Sequence, residues 1–97
     1  MYEYLHGRID EVGAAWVILD VGGVGWHVAV SSRCAAGLEI GREHRLPVHL
    51  SVSETTQVLY GFESLTERAL FRRLLQVNGI GPSSALGLLS SLPPNEM

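Results

Sequence analysis

The residues best suited to chemistry in this sequence lie around one corner near its C-terminal end. The run Leu74-Leu75-Gln76-Val77-Asn78-Gly79-Ile80-Gly81-Pro82-Ser83-Ser84-Ala85-Leu86 joins two predicted helices through two glycines that flank one aliphatic residue. Glycine permits left-handed or tightly bent backbone and lets another molecule approach without a Cβ in the way. Pro82 suits the first position of the second helix, where no N–H is needed and φ is already helical. The free amides of that first turn, with the positive end of the helix dipole behind them, favour an anion such as a phosphate. Ile80 can serve as an apolar peg that packs down between the helices. The competing reading is a helical corner that touches nothing.

Other candidates are weaker. Gly23-Val24-Gly25 lacks the third glycine of a dinucleotide loop, which would fall at Val28, and a strand follows it instead of a helix. His6, His27, His44 and His49 lack metal-ligand spacing, and His44 and His49, five apart around a strand, face opposite sides. Neither a metal nor another cofactor is expected. Asp10-Glu11 precedes a turn, and with no partnered carboxylates and no Ser/His/Asp set the chain has no catalytic residues and is not expected to be an enzyme by itself. Cys34 sits beside Ala35 and Ala36 with no nearby acid or base, which points to a packed thiol. Tyr2, Tyr4, Trp16, Trp26 and Tyr60 could form a base-stacking platform, the basis of an alternative reading as a stand-alone single-stranded nucleic-acid binder. Core or interface packing is the more ordinary role for aromatics in strands.

Ninety-seven residues make one domain, or one small domain plus part of a second. An apolar share of 46% with 18% charged residues indicates a globular chain. No apolar run approaches the ~20 residues of a membrane span, and no signal pattern opens the sequence, so a cytoplasmic location and no membrane partner are expected. Net charge is −3, but it is unevenly spread. Residues 1–64 hold four arginines against eight acids, whereas residues 65–97 hold three arginines against two. The acidic part ends where the helices of the glycine corner begin. So low a positive charge means that each chain contacts few phosphates, and that binding is weak unless several copies act together.

The first 62 residues read as strands. Residues 4–10 partly alternate, residues 15–21 are rich in β-formers, Gly22-Gly23 signals a hairpin, and residues 24–30 alternate again. A short helical patch at residues 32–36 ends at Gly37. Residues 46–52 and 58–62 follow as strands around the polar tip Ser53-Glu54-Thr55-Thr56-Gln57. Five strands with one helical insert between the third and fourth predict a Greek-key barrel of the OB type over residues 1–63, and a six-stranded variant fits nearly as well. After Phe62 the pattern changes. Ser64-Leu65-Thr66-Glu67 has capping-box spacing, and helical periodicity then predicts a helix over residues 65–77 and a second from Pro82 to Leu92, stopped by Pro93-Pro94. The fold class is mainly β plus α, and the chain reads as an N-terminal fragment whose second domain, residues 64–97, is incomplete.

Four separated motifs now fall in order: Val21-Gly22-Gly23-Val24-Gly25-Trp26-His27-Val28, Leu59-Tyr60-Gly61-Phe62, Glu67-Arg68-x-Leu70-Phe71 and Val77-Asn78-Gly79-Ile80-Gly81-Pro82. Together they resemble the N-terminal half of the RuvA family, Holliday-junction-binding subunits of the bacterial branch-migration complex in recombination and DNA repair. The resemblance implies an OB-fold barrel, a domain with two helix-hairpin-helix motifs of which residues 64–97 hold the first, and a third domain that docks the ATP-driven motor RuvB. It also implies a homotetramer that holds a four-way junction open, with the resolvase RuvC as a further partner. By position, Gly79, Ile80, Gly81 and the amides and hydroxyls of Ser83 and Ser84 would grip a duplex arm through its phosphates. The tip at Ser53-Glu54-Thr55 corresponds to the family's acidic pin, which projects into the junction centre and repels phosphates. Two departures are visible. The usual pin has two acids behind an arginine, whereas here Glu54 stands alone between Ser53 and Thr55, and Ser83 occupies a position where a basic residue is common.

Overall fold

A computed structural model describes residues 2–92. Three antiparallel strands come first: β1 (Tyr4–Val12), β2 (Trp16–Val21) and β3 (Val24–Ala29). A short helix, α1 (Ser32–Ala36), capped by the Ser31 hydroxyl accepting from Cys34 N at 3.1 Å, leads to β4 (Glu43–Val52) and β5 (Gln57–Gly61). The strands close in the order β1-β2-β3-β5-β4, with β3 meeting β5 in parallel at Ala29 and Tyr60 and every other pairing antiparallel. This is the five-stranded OB-type barrel, and no sixth strand occurs among the described residues.

Closure is set by β1, which must pair on both edges: Arg8 faces Asp20 of β2 on one side and Glu43 of β4 on the other. A strand shared in this way has to coil, and Gly7 permits it, since a Cβ there would come 2.2 Å from the Asp20 carbonyl oxygen. Strand alternation then sends Leu5, Ile9, Val17, Leu19, Val28, Leu46, Val48 and Leu59 into a buried core. Bounds of β2, β3 and β5 differ from expectation by one residue, and two others by more. β4 starts at Glu43 instead of residue 46, and β1 continues to Val12, because ladder pairing to a neighbour extends a strand through polar residues that carry no apolar alternation.

Beyond the barrel stand α2 (Leu65–Leu74) and α3 (Pro82–Ser91). The helix expected over residues 65–77 stops at Leu74, where tighter bonds take over: Gln76 N to Arg73 O and Val77 N to Leu74 O, each 3.1 Å. At its start Ser64 Oγ accepts from Glu67 N at 3.1 Å. In return Glu67 Oε1 accepts from Glu63 N at 2.9 Å, a capping box closed one residue earlier than usual. At the far end Leu92 is extended, φ −84° and ψ 140°, as steric contact with a following proline favours. The stop assigned to Pro93-Pro94, and residues 95–97, lie outside the described residues.

Both helices are seated on the barrel by a second apolar cluster of Tyr60, Phe62, Phe71, Ala85 and Leu89. The Phe71 ring lies 4.9 Å from Phe62 and 5.2 Å from Tyr60, centroid to centroid. Polar ties surround this contact. Arg68 Nη1 donates to Glu3 O at 2.7 Å and to Val48 O at 3.3 Å, so an arginine of α2 ties the residue just before β1 to β4. Arg33 of α1 donates to the Leu92 carbonyl and approaches the Glu67 carboxylate at 3.5 Å, while Ser32 N donates to Ser90 Oγ at 3.0 Å. Thus α1 holds the start of α2 and the end of α3 together. Burial pushes the Glu67 carboxyl above its ordinary value; the Glu63 amide opposes this, the Glu63 carboxylate adds to it, and Arg33 opposes it. Burial, with Glu67 and Glu63 nearby, also pushes the Cys34 thiol up to about 12, which makes it the packed, unreactive group expected from its alanine neighbours.

Two outcomes follow from this packing. Phe71→Ala is expected to cost about 3–5 kcal/mol in urea unfolding, because it removes a large side chain from between two rings. Hydrogen exchange should then loosen α2 and α3 more than β1–β3. A carboxyl whose pKa is raised by folding keeps its proton longer in the native state, so its contribution to stability falls as pH rises from the ordinary value of 4.5 toward the higher native value. Glu67→Gln keeps an acceptor for Glu63 N and removes this titration. Its unfolding midpoint should therefore depend less steeply on pH just above 4.5 than that of the wild type.

Candidate nucleic-acid interface

The glycine corner forms a compact turn in which each residue has a separate task. Ile80 N donates to Val77 O at 3.1 Å and closes the turn, while the Ile80 side chain packs against the Tyr60-Phe62-Phe71 cluster. Gly79 takes φ +85°, the left-handed region that a side chain disfavours. Gly81 does not. It is extended, φ −92° and ψ 177°, and caps α3 without a side chain. An added Cβ on either glycine would meet nothing within 4 Å, so both expose bare backbone to solvent.

Helix geometry determines which amides are left over. The first bond inside α3 runs from Ala85 N to Gly81 O at 2.9 Å, and Pro82 has no N–H to satisfy. The N–H groups of Gly79, Gly81, Ser83 and Ser84 have no acceptor among the described residues. Three of these amides sit at the positive end of the dipole of a ten-residue helix, an arrangement that suits an anion. The two serines differ in their hydroxyls. Both are exposed, but Ser83 interacts with the phenol of Tyr60, a group whose pKa is raised by burial and partly lowered again by this contact, whereas Ser84 has no partner among the described residues. Tyr60 is thus the strut under the N-terminus of α3, a role that strand patterning alone did not indicate.

Glu54 lies elsewhere, at the end of the β4–β5 ribbon. There Ser53 N donates to Thr56 O at 2.8 Å, Thr56 N donates to Ser53 Oγ at 3.1 Å, and the two hydroxyls meet at 2.9 Å. This closed turn holds the exposed Glu54 carboxylate at the tip, with no ion pair to it among the described residues. No hydrogen bond links the tip to the glycine turn; the two share only the ribbon, which Tyr60 supports at one point and Glu54 ends.

The aromatic side chains are already engaged with protein. Trp16 stacks on His27 at 5.4 Å, Trp26 meets the edge of Tyr2 at 5.7 Å and packs against the core, and Arg45 lies 3.6 Å above the Tyr4 ring. Tyr60 is beneath the helices. These partners divide the aromatics over separate faces instead of lining them up. Among the described residues no group of three or more His, Cys, Asp or Glu side chains could hold a metal ion, and no helix is long and apolar enough to cross a membrane.

Comparison with known proteins adds an independent line. Residues 1–61 match the family model described as the RuvA N terminal domain. Among curated proteins, the chain is 43% identical over 91 residues to the protein named "Holliday junction branch migration complex subunit RuvA" from Pediococcus pentosaceus, covering 94% of this chain and 46% of that protein. The protein of the same name from Lysinibacillus sphaericus is 39% identical over all 97 residues, or 47% of its own length. That of Tolumonas auensis is 42% identical over 93 residues, 95% of this chain and 45% of that protein. The chain spans about half the length of the curated relatives it matches. A family match that ends on the last strand of the barrel, and relatives that continue through the glycine turn, agree with the architecture: this chain belongs to the RuvA N-terminal domain family.

Proposed function

We propose that this chain is the N-terminal part of a scaffold that binds four-way junction DNA within a branch-migration complex. The observation that carries the reading is the row of amides at Gly79, Gly81, Ser83 and Ser84 that have no acceptor among the described residues, set on bare glycine backbone at the positive end of α3. Relatives named as branch-migration complex subunits support it. In this reading residues 1–63 are the barrel, and residues 64–97 are the first helix-hairpin-helix motif of a helical domain that continues beyond them. Gly79, Ile80, Gly81, Ser83 and Ser84 hold a duplex arm by its phosphates, with Ser84 offering a free hydroxyl and Ser83 acting through its amide. Glu54 is the acidic pin at the junction centre.

The chain itself does no covalent chemistry here, and ATP hydrolysis belongs to the motor, RuvB, which a further domain would dock. Four copies form the working unit in the cytoplasm, where RuvC is a further partner. Multivalency accounts for how a chain of net charge −3 binds DNA: each copy contributes few phosphate contacts and the tetramer adds them. The alternative, a stand-alone single-strand binder with a stacking face, is disfavoured because its aromatics are occupied on separate faces.

Gly81→Glu is the clean test of the cradle. The backbone there is extended, a Cβ has open space, and an acid at a helix N-terminus suits the dipole, so the fold is expected to stand. Junction affinity should nevertheless fall by at least about tenfold through repulsion and steric block at the amides. Competition between a four-way junction and a single-stranded oligonucleotide in the same assay separates the two readings; preference for the oligonucleotide would favour the alternative. For the tip, Glu54→Arg is expected to tighten junction binding at low salt and to weaken the preference for junction over linear duplex. The difference should shrink as salt rises, since charges are screened over ~10 Å at 0.1 M.

A further inference from the structure

The seven arginines of this acidic chain divide by what they meet. Arg8 faces Asp10 and Asp20, Arg33 faces Glu63 and Glu67, Arg42 faces Glu39, and Arg68 faces Glu3, all at 3.8 Å or less. Arg45, Arg72 and Arg73 have no carboxylate partner among the described residues, and Arg45 is taken up by the Tyr4 ring. An uncompensated cation in a chain that is otherwise short of positive charge is a place for an external anion.

Arg72 is also held in position. Its Nε donates to His49 Nδ1 at 3.1 Å, which leaves both Nη groups of the exposed guanidinium without an acceptor among the described residues. That bond needs a neutral imidazole carrying its proton on Nε2. Burial, then Arg72, then Arg68 lower the His49 pKa and so favour this form. His49 is braced in turn, with its ring 5.5 Å from Phe71 and its backbone paired across the ribbon with Tyr60, the residue that Ser83 engages. The Arg72 fork and the N-terminus of α3 therefore rest on one aromatic cluster. His49 and Ser51 take successive outward positions on β4, so Arg72 stands on the ribbon that joins the seat of the glycine turn to Glu54.

We propose that Arg72, oriented by His49, is a second phosphate-binding point for the DNA arm held at Gly79, Gly81, Ser83 and Ser84. The inference rests on the reading given under Proposed function. A guanidinium whose Nε is fixed presents its remaining N–H donors in a preset fork, which suits two oxygens of one phosphodiester. His49 is a positioning residue and does not itself touch the DNA.

The test measures binding to a short-armed four-way junction by fluorescence anisotropy across a salt series. The proteins are the wild type, Gly81→Glu, Arg72→Gln, His49→Leu and Arg42→Gln as the paired-arginine control. Arg72→Gln is expected to weaken binding roughly tenfold at low salt, and to lower the slope of log affinity against log salt by about one per bound protomer. His49→Leu keeps the charge but not its orientation, so its affinity should fall between the two with the wild-type slope, while Arg42→Gln changes neither. Neutral methylphosphonates placed one at a time along the arm should locate the contact as the phosphate at which wild type and Arg72→Gln bind alike. Because Arg72 is exposed, the melting temperature of Arg72→Gln is expected to match the wild type. Wild-type affinity and slope for Arg72→Gln, with Gly81→Glu still deficient, overturn this proposal and leave the glycine-turn reading standing. Full binding by Gly81→Glu overturns both.

Discussion

The contact of Phe71 with Tyr60 and Phe62 is the constraint on which the rest of this molecule depends. A five-stranded barrel fills its own interior with the side chains of one strand face and leaves the other face for solvent. Here the last strand carries an aromatic, Tyr60, on its outer face and another, Phe62, just past its end, and both gain by burial. Covering them is what brings α2 and α3 to the barrel, and ring packing with 4.9–5.2 Å between centroids fixes the angle at which they arrive. Everything placed by those helices, from the Arg68 clamp to the turn at Gly79 and Gly81, takes its position from this seat.

Electrostatics then sort the surface. Carboxylates outnumber arginines, and most arginines are drawn into pairs that fasten one element to another. The most buried of these pairs, Glu67 with Arg33, is costly to desolvate, and burial is the main cause of the upward shift of the Glu67 carboxyl. What this pair supplies is geometry: α1 is tied to the first turn of α2 and, through the Leu92 carbonyl and Ser90, to the last turn of α3. With the far ends of both helices held, the glycine turn at their near ends projects from a fixed base.

Amides and charge act together in the proposed function. Unpaired N–H groups cost nothing while water reaches them, and the same exposure lets a phosphate replace that water. A turn made of amides alone contributes a modest, sequence-independent attraction, consistent with a protein that would recognise a branched shape by placing several such turns at once.

Much of this was legible in the residues themselves. Alternating apolar positions, Gly22-Gly23 and the break after Phe62 define five strands followed by helices, and Pro82 after Gly81 marks the start of α3, because these features act through local backbone preference and a period of two. The glycine turn and the tip at Glu54 were identifiable for the same reason. Local rules did not reach the polar start of β4, which is a strand only because β1 pairs with it, or the end of α2 at Leu74, where the turn to the next helix overrides helical periodicity. Nor did they separate Gly79, which needs positive φ, from Gly81, which needs only the absence of a side chain. The unlike hydroxyls of Ser83 and Ser84, the burial of Arg68 and the bond from Arg72 to His49 depend on which distant strand lies beneath each helix. Sequence by itself determined the elements, since those follow from neighbours along the chain; tertiary structure decided which polar groups remain open to a ligand, since that depends on partners brought together only by the packing of two layers.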